Sequence, residues 1–121
     1  MLRVTNLHTA YGAIAALKGI SFEVTQGSVV ALVGANGAGK STTLNTISGL
    51  LAPRQGRIIF GGQDITGWRS DRVAGLGLVQ APEGRQILAP LTVEENLLLG
   101  AVRRHDRAGV QQDLDAAFQR F

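Results

Sequence analysis

The hydrophobic and polar positions change period several times along the chain. Leu2, Val4 and Leu7 give a short alternating pattern that predicts a strand, and Tyr11-Gly12 a turn after it. Ile20, Phe22 and Val24 alternate with Ser21 and Glu23, the pattern of a half-exposed antiparallel strand. Ser28 to Val33 is apolar and β-branched without a break, which predicts a strand buried on both faces. Lys40 to Ser48 reads as a helix closed by Gly49. Arg57-Ile58-Ile59-Phe60, Gly61-Gly62 and Gln63-Asp64-Ile65 predict a hairpin, and Leu76 to Val79 a further short strand. Residues 80–91, with Pro82, Gly84 and Pro90, read as a loop. Thr92 and Glu95 form a capping box, whose helix runs to about Gly100.

The last stretch places Leu114, Ala117, Phe118 and Phe121 at helical spacing. It ends on an apolar residue without a C-cap, so the sequence is expected to be a piece of a larger domain.

Between the apolar run and the first helix lies Gly34-Ala35-Asn36-Gly37-Ala38-Gly39-Lys40-Ser41, the Gly-x4-Gly-Lys-Ser pattern of a phosphate-binding loop. Its place after a strand and before a helix is the context that pattern requires. Gly34, Gly37 and Gly39 let the backbone turn tightly and aim its N–H groups inward. The following helix N-terminus adds partial positive charge. Lys40 is expected to reach the β- and γ-phosphates of ATP, Ser41 to ligate Mg²⁺, and Thr42 to meet the α-phosphate region. A glycine-rich turn without a ligand would not need Lys and Ser at those two places.

Composition narrows the rest. The 121 residues, 45% hydrophobic and 17% charged, suit one modest globular domain. With no cysteine, disulfides, thiol catalysis and thiolate metal sites are excluded. His8 and His105 lie far apart and do not suggest a metal site. The net charge of +3 is scattered except at Arg103, Arg104 and Arg107, and no basic–aromatic interleaving points to a nucleic-acid partner. No apolar run reaches the roughly 18 residues of a membrane span. The N-terminus lacks a signal peptide's apolar core, so the chain is expected to be cytoplasmic or peripheral to a membrane.

Phosphate-binding loops serve many enzymes, and the flanks discriminate among them. Tyr11-Gly12 stands well ahead of Gly34, beyond an antiparallel unit, and Asn36 to Thr42 completes the pattern. Together these resemble the nucleotide-binding domain of ABC proteins. The resemblance implies that Tyr11 stacks on adenine. Ala81-Pro82-Glu83-Gly84-Arg85 followed by Leu91 to Leu97 is similar, more narrowly, to the ATP-binding subunits of branched-chain amino-acid ABC importers of the LivF type. It covers the whole chain but about the first half of such a subunit. In this subfamily a glutamate commonly stands where other ABC domains carry a metal- or water-contacting glutamine. Glu83 matches it, while Gln80 lies three residues early, at the end of the expected strand. A loop glutamate paired with Arg85 is the plainer alternative. Gln86, Leu88, Ala89 and Pro90 depart from the subfamily pattern where the loop would face a membrane subunit, which leaves the solute open.

The resemblance implies an α/β P-loop NTPase fold, the ABC nucleotide-binding domain, truncated, with an N-terminal antiparallel β subdomain. Residues 1–33 and 57–66 would be its β-rich parts, 34–49 the phosphate loop and helix, 80–91 a Q-loop-like segment, and 92–121 the start of a helical subdomain. The subunit would hydrolyse ATP to drive import across a membrane. It would work at the cytoplasmic face, with transmembrane permease subunits and a second ATP-binding subunit in a head-to-tail dimer. A soluble ABC ATPase acting in translation or DNA maintenance is the alternative. A P-loop kinase or GTPase leaves Tyr11 and residues 81–97 unexplained. The later carboxylates, signature segment and switch histidine of ABC domains are absent from these residues. The chain alone is therefore expected to bind ATP at most, and to expose an apolar edge.

Overall fold

The computed structural model describes residues 1–121, which divide into two units, Met1–Gln80 and Ala81–Phe121. In the first, strands β1 (Leu2–Tyr11), β2 (Ile14–Val24), β3 (Gln55–Phe60) and β4 (Gln63–Asp64) form one antiparallel sheet in the order β2-β1-β3-β4. Helix α1 (Lys40–Ile47) and the short α2 (Ser70–Gly75) complete it. The turn from β3 to β4 is Gly61-Gly62 with φ of 56° and 82°, the positive values that a two-residue hairpin matching strand twist demands.

Val4, Leu7, Leu17, Ile58, Ile65 and Val73 are almost wholly buried with Ile47 of α1, and Leu2, Ile20, Phe22, Phe60 and Trp68 pack around them. Complete burial of one such side chain stabilises by about 1.5–3 kcal/mol. Val4 and Leu7 are three positions apart, yet both face this core. A bulge reconciles them. Val4 pairs with Phe22 and Leu7 with Ile20, while on the other side Thr5 pairs with Arg57 and His8 with Gln55. In both ladders β1 carries one extra residue. Asn6 there has φ 50°, and its amide N–H donates to Ser21 Oγ at 2.8 Å. Gly56 and Gly19 lie against it: a Cβ at Gly56 would stand 2.4 Å from the Asn6 carbonyl oxygen, and one at Gly19 2.8 Å from Asn6 Oδ1.

Helix α1 ends in a complete C-terminal cap. Ser48 is its C-cap, and Gly49 follows at φ 84°. The Gly49 N–H donates to Thr46 O and the Leu50 N–H to Asn45 O, satisfying two orphan carbonyls. So Gly49 ends the helix as the sequence predicts, one position beyond the cap residue itself.

Two predicted strands are not formed. Ser28 to Val33 makes no ladder, and Val29 and Val33 are 98% and 93% exposed. Leu76 to Val79 is likewise outside any strand. Apolar β-branched sequence favours a strand only where a neighbour supplies the hydrogen bonds, and the four-stranded sheet does not reach these residues. Conversely, β2 begins at Ile14, six residues before its alternating part, because β1 pairs with it back to Tyr11. Helix α2 was not anticipated. Asp71 in its first turn and Val73 facing the core are the signals it carries, with Trp68 packed on the core just before it.

In the second unit, α3 (Val93–Leu99) and α4 (Arg107–Arg120) follow the loop after Gln80. The capping box is present: Glu95 N–H donates to Thr92 Oγ1 at 3.1 Å, and Thr92 N–H to Glu95 Oε2 at 2.7 Å. Arg104 binds Asp106 through Nε and Nη2, at 3.0 and 2.6 Å, and Asp113 through Nη1 at 2.5 Å, holding the start of α4. The guanidinium holds the Asp106 carboxyl below the ordinary aspartate range, mainly by hydrogen bonding. No helix is long and apolar enough to cross a membrane.

Candidate phosphate-binding site

The predicted loop leads directly into α1. Gly37 and Gly39 have φ of 86° and 98°, left-handed values that cost a residue with a side chain. Gly39 is also confined: a Cβ there would lie 2.7 Å from Leu17 Cδ2 and 3.2 Å from the Ala16 carbonyl oxygen, whereas a Cβ at Gly37 would meet nothing. Gly34 does not use positive φ. Its lack of a side chain serves close approach, since a Cβ would come within 3.0 Å of Ala38 Cβ. An Ala38 N–H bond to Ala35 O at 3.0 Å tightens the loop around Asn36 and Gly37.

Gly39 is the N-cap of α1 and, being glycine, offers no side-chain acceptor; the first turn holds no acidic residue. The first-turn N–H groups of a helix have no partner within it. With neither a capping oxygen nor a carboxylate of its own, this helix start presents those N–H groups and its dipole to an external anion. The Lys40 ammonium folds back over the loop, donating to the carbonyls of Gly34 and, at 2.8 Å, Ala35. It thus lies along the loop that it is predicted to serve. Ser41 is exposed on the same turn, and Thr42 is 8% exposed beside it.

Tyr11, at the end of β1, is brought to this helix. Its hydroxyl lies 3.3 Å from Thr42 Oγ1, and the side chain is 49% exposed. Tyr11, the loop from Gly34 to Gly39, Lys40, Ser41 and Thr42 therefore share one region of the first unit, although Tyr11 and Gly34 are far apart in sequence.

Gln80 and Glu83 separate. Gln80 does not end a strand. Its side chain is pinned to the far end of α1, donating to Asn45 Oδ1 at 3.1 Å and accepting from Ser48 Oγ at 2.7 Å. Glu83 belongs to the second unit, exposed in the loop. That loop is fastened by Asn96, which no motif in the sequence marks. Asn96 accepts the Leu88 N–H at 3.0 Å and donates to the carbonyls of Leu88, Leu91 and Thr92 at 3.1, 3.3 and 2.9 Å. A side-chain amide one turn into a helix after a loop was the available signal.

The family pattern described as ABC transporter matches residues 17–121. The chain is 39% identical over 121 residues to the high-affinity branched-chain amino acid transport ATP-binding protein BraG of Pseudomonas aeruginosa, covering 100% of this chain and 52% of that protein. It is 35% identical over 121 residues to the probable branched-chain amino acid transport ATP-binding protein LivF of Archaeoglobus fulgidus, covering 100% of this chain and 51% of that one. The chain thus spans about half the length of these curated relatives. Among solved structures, a nucleotide-free ATP-binding cassette from an ABC transporter superposes with a TM-score of 0.77 at 35% identity, over 91% of this chain and 44% of that one.

Proposed function

The chain belongs to the ABC transporter family, and on that premise we propose that it supplies the phosphate-binding part of a subunit that couples ATP binding and hydrolysis to solute import. The observation that carries this reading is the loop entering α1. Left-handed Gly37 and Gly39, an uncapped helix start and Lys40 together make a cradle for a polyphosphate. Tyr11 beside Thr42 gives that cradle a neighbour able to stack on adenine. Gly34, Asn36, Gly37, Ala38, Gly39, Lys40, Ser41 and Thr42 are the phosphate contacts in this reading.

Mg²⁺ suits the available donors. The exposed Ser41 hydroxyl is a hard oxygen donor on the first turn of α1 and is the proposed ligand there; separately, Glu83 is proposed as a metal-contacting carboxylate of the loop after Gln80. When bound, the ion would neutralise phosphate charge. Branched-chain amino acids are the proposed solutes, after the relatives named BraG and LivF. The proposed partners are transmembrane permease subunits and a second ATP-binding subunit in a head-to-tail dimer, at the cytoplasmic face of the membrane. The 121 residues carry no apolar strand followed by Asp-Glu, as an ABC hydrolytic centre would need. By themselves they are proposed to bind ATP without turning it over.

The test is Lys40→Ala in the full-length protein, read by equilibrium ATP binding. Loss of detectable binding with unchanged secondary structure is expected. Unchanged affinity would refute the phosphate-loop assignment.

A further inference from the structure

Thr9 and Thr46 serve no phosphate-binding role, yet each is only 2% exposed. Their hydroxyl oxygens lie 3.1 Å apart, linking β1 to α1. Thr46 Oγ1 also donates to the Thr42 carbonyl at 2.7 Å. A hydroxyl has one proton. The Thr46 proton is committed to that carbonyl, so Thr9 must be the donor between the two threonines. Two positions along β1 and one turn back along α1, the pairing repeats with Tyr11 and Thr42 at 3.3 Å.

Thr43 and Thr46 both donate to carbonyls four residues earlier, at 2.7 Å each. Thr42 does not, and a phenol is a stronger acid than an alkyl hydroxyl and so the better donor. Tyr11 is therefore the better donor of this pair, which leaves the Thr42 proton uncommitted to any carbonyl. A hydroxyl that accepts one hydrogen bond is polarised toward donating another.

We infer that Thr42 couples base recognition to phosphate recognition. The Tyr11 phenol is a positioning group, held by Thr42 so that the ring stands oriented beside the loop before a nucleoside triphosphate arrives. Thr42 donates its own hydroxyl hydrogen bond to a phosphate oxygen. The Thr9–Thr46 bond fixes how α1 sits against β1 and so brings the upper pair within reach. About half of the Tyr11 surface remains open, which leaves ring area for a base. This inference rests on the ATP-binding reading above and adds to it a role for the phenol oxygen, which stacking alone does not require.

The experiment compares ATP with inorganic tripolyphosphate, which lacks the base, as ligands of the full-length protein. Tyr11→Phe keeps the ring and deletes only the tether. Ordering one side chain in advance is worth about three- to tenfold in affinity, so the ratio of ATP to tripolyphosphate affinity is expected to fall by about that factor. In a Thr42→Val background the same Tyr11→Phe change is expected to leave the ratio where Thr42→Val alone put it. An unchanged ratio in the single variant overturns the inference. So does an equal fall in both backgrounds, which would place the partner of the phenol elsewhere. If the unsubstituted protein binds neither ligand, or Lys40→Ala keeps both, the phosphate-loop assignment itself fails and the coupling with it.

Discussion

Gly37 and Gly39 both adopt left-handed backbone, but only one is walled in, so alanine at each separates two costs. Gly37→Ala adds a methyl group to open space at φ 86°. Its penalty is the left-handed conformation alone, about 1–2 kcal/mol. Gly39→Ala carries a similar conformational penalty at φ 98°, and its Cβ would stand 2.7 Å from Leu17 Cδ2 and 3.2 Å from Ala16 O. Leu17 is 3% exposed and belongs to the core, so its methyl has nowhere easy to go. Overpacking of that kind costs roughly a further 1–3 kcal/mol, which brings Gly39→Ala to about 2–5 kcal/mol. Urea unfolding followed by fluorescence reads the difference. Trp68, the one tryptophan of the sequence, packs against the same core and reports on its loss. Gly39→Ala is expected to unfold at clearly lower urea than Gly37→Ala, with an unchanged slope. Equal midpoints would show that Leu17 and the Ala16 carbonyl do not confine this glycine, and the account of why the loop needs glycine there would be wrong.

Gly49→Ala is expected to cost at least about 3 kcal/mol in the same assay, since its Cβ would sit 2.4 Å from the Trp68 carbonyl oxygen and 2.8 Å from Ser70 N, backbone atoms that no rotamer change can move; a loss near that of Gly37→Ala would contradict it. Thr92→Ala removes one half of the capping box and is expected to destabilise α3 by about 1 kcal/mol, seen as faster amide hydrogen exchange at Val93 to Asn96.

The features that could be read from the sequence are those fixed by neighbours along the chain. The glycine turn into α1, the Thr92–Glu95 box and the Gly61-Gly62 hairpin each need a few residues at set spacing, and all three are formed. Strand formation at Ser28 to Val33 is different. Its pattern specifies an apolar ribbon, but a strand exists only when another strand bonds to it, and that information is not local. The early part of β2 shows the reverse, where Ala15, Ala16 and Lys18 give little alternation and are recruited because β1 lies alongside. In the candidate site, Lys40 and Ser41 are legible from spacing, and Tyr11 only from resemblance. The meeting of Thr9 with Thr46, or of Gln80 with Asn45 and Ser48, joins residues more than thirty positions apart. Nothing in composition or period announces such pairs.

The bulge at Asn6 has a consequence for which changes β1 can accept. Successive side chains on a strand alternate between faces, so a regular strand with Val4 inward would turn Leu7, Thr9 and Tyr11 outward. The extra residue resets that parity midway, and the same strand serves the core with Val4 and helix α1 with Thr9 and Tyr11. Single substitutions at Thr5 or Asn6 act locally. Deleting either residue would instead invert everything downstream on β1 and carry Tyr11 away from the loop. What this stretch of chain must preserve is therefore its count of residues more than their kinds, so related chains that keep the site should vary here in letter but not in length.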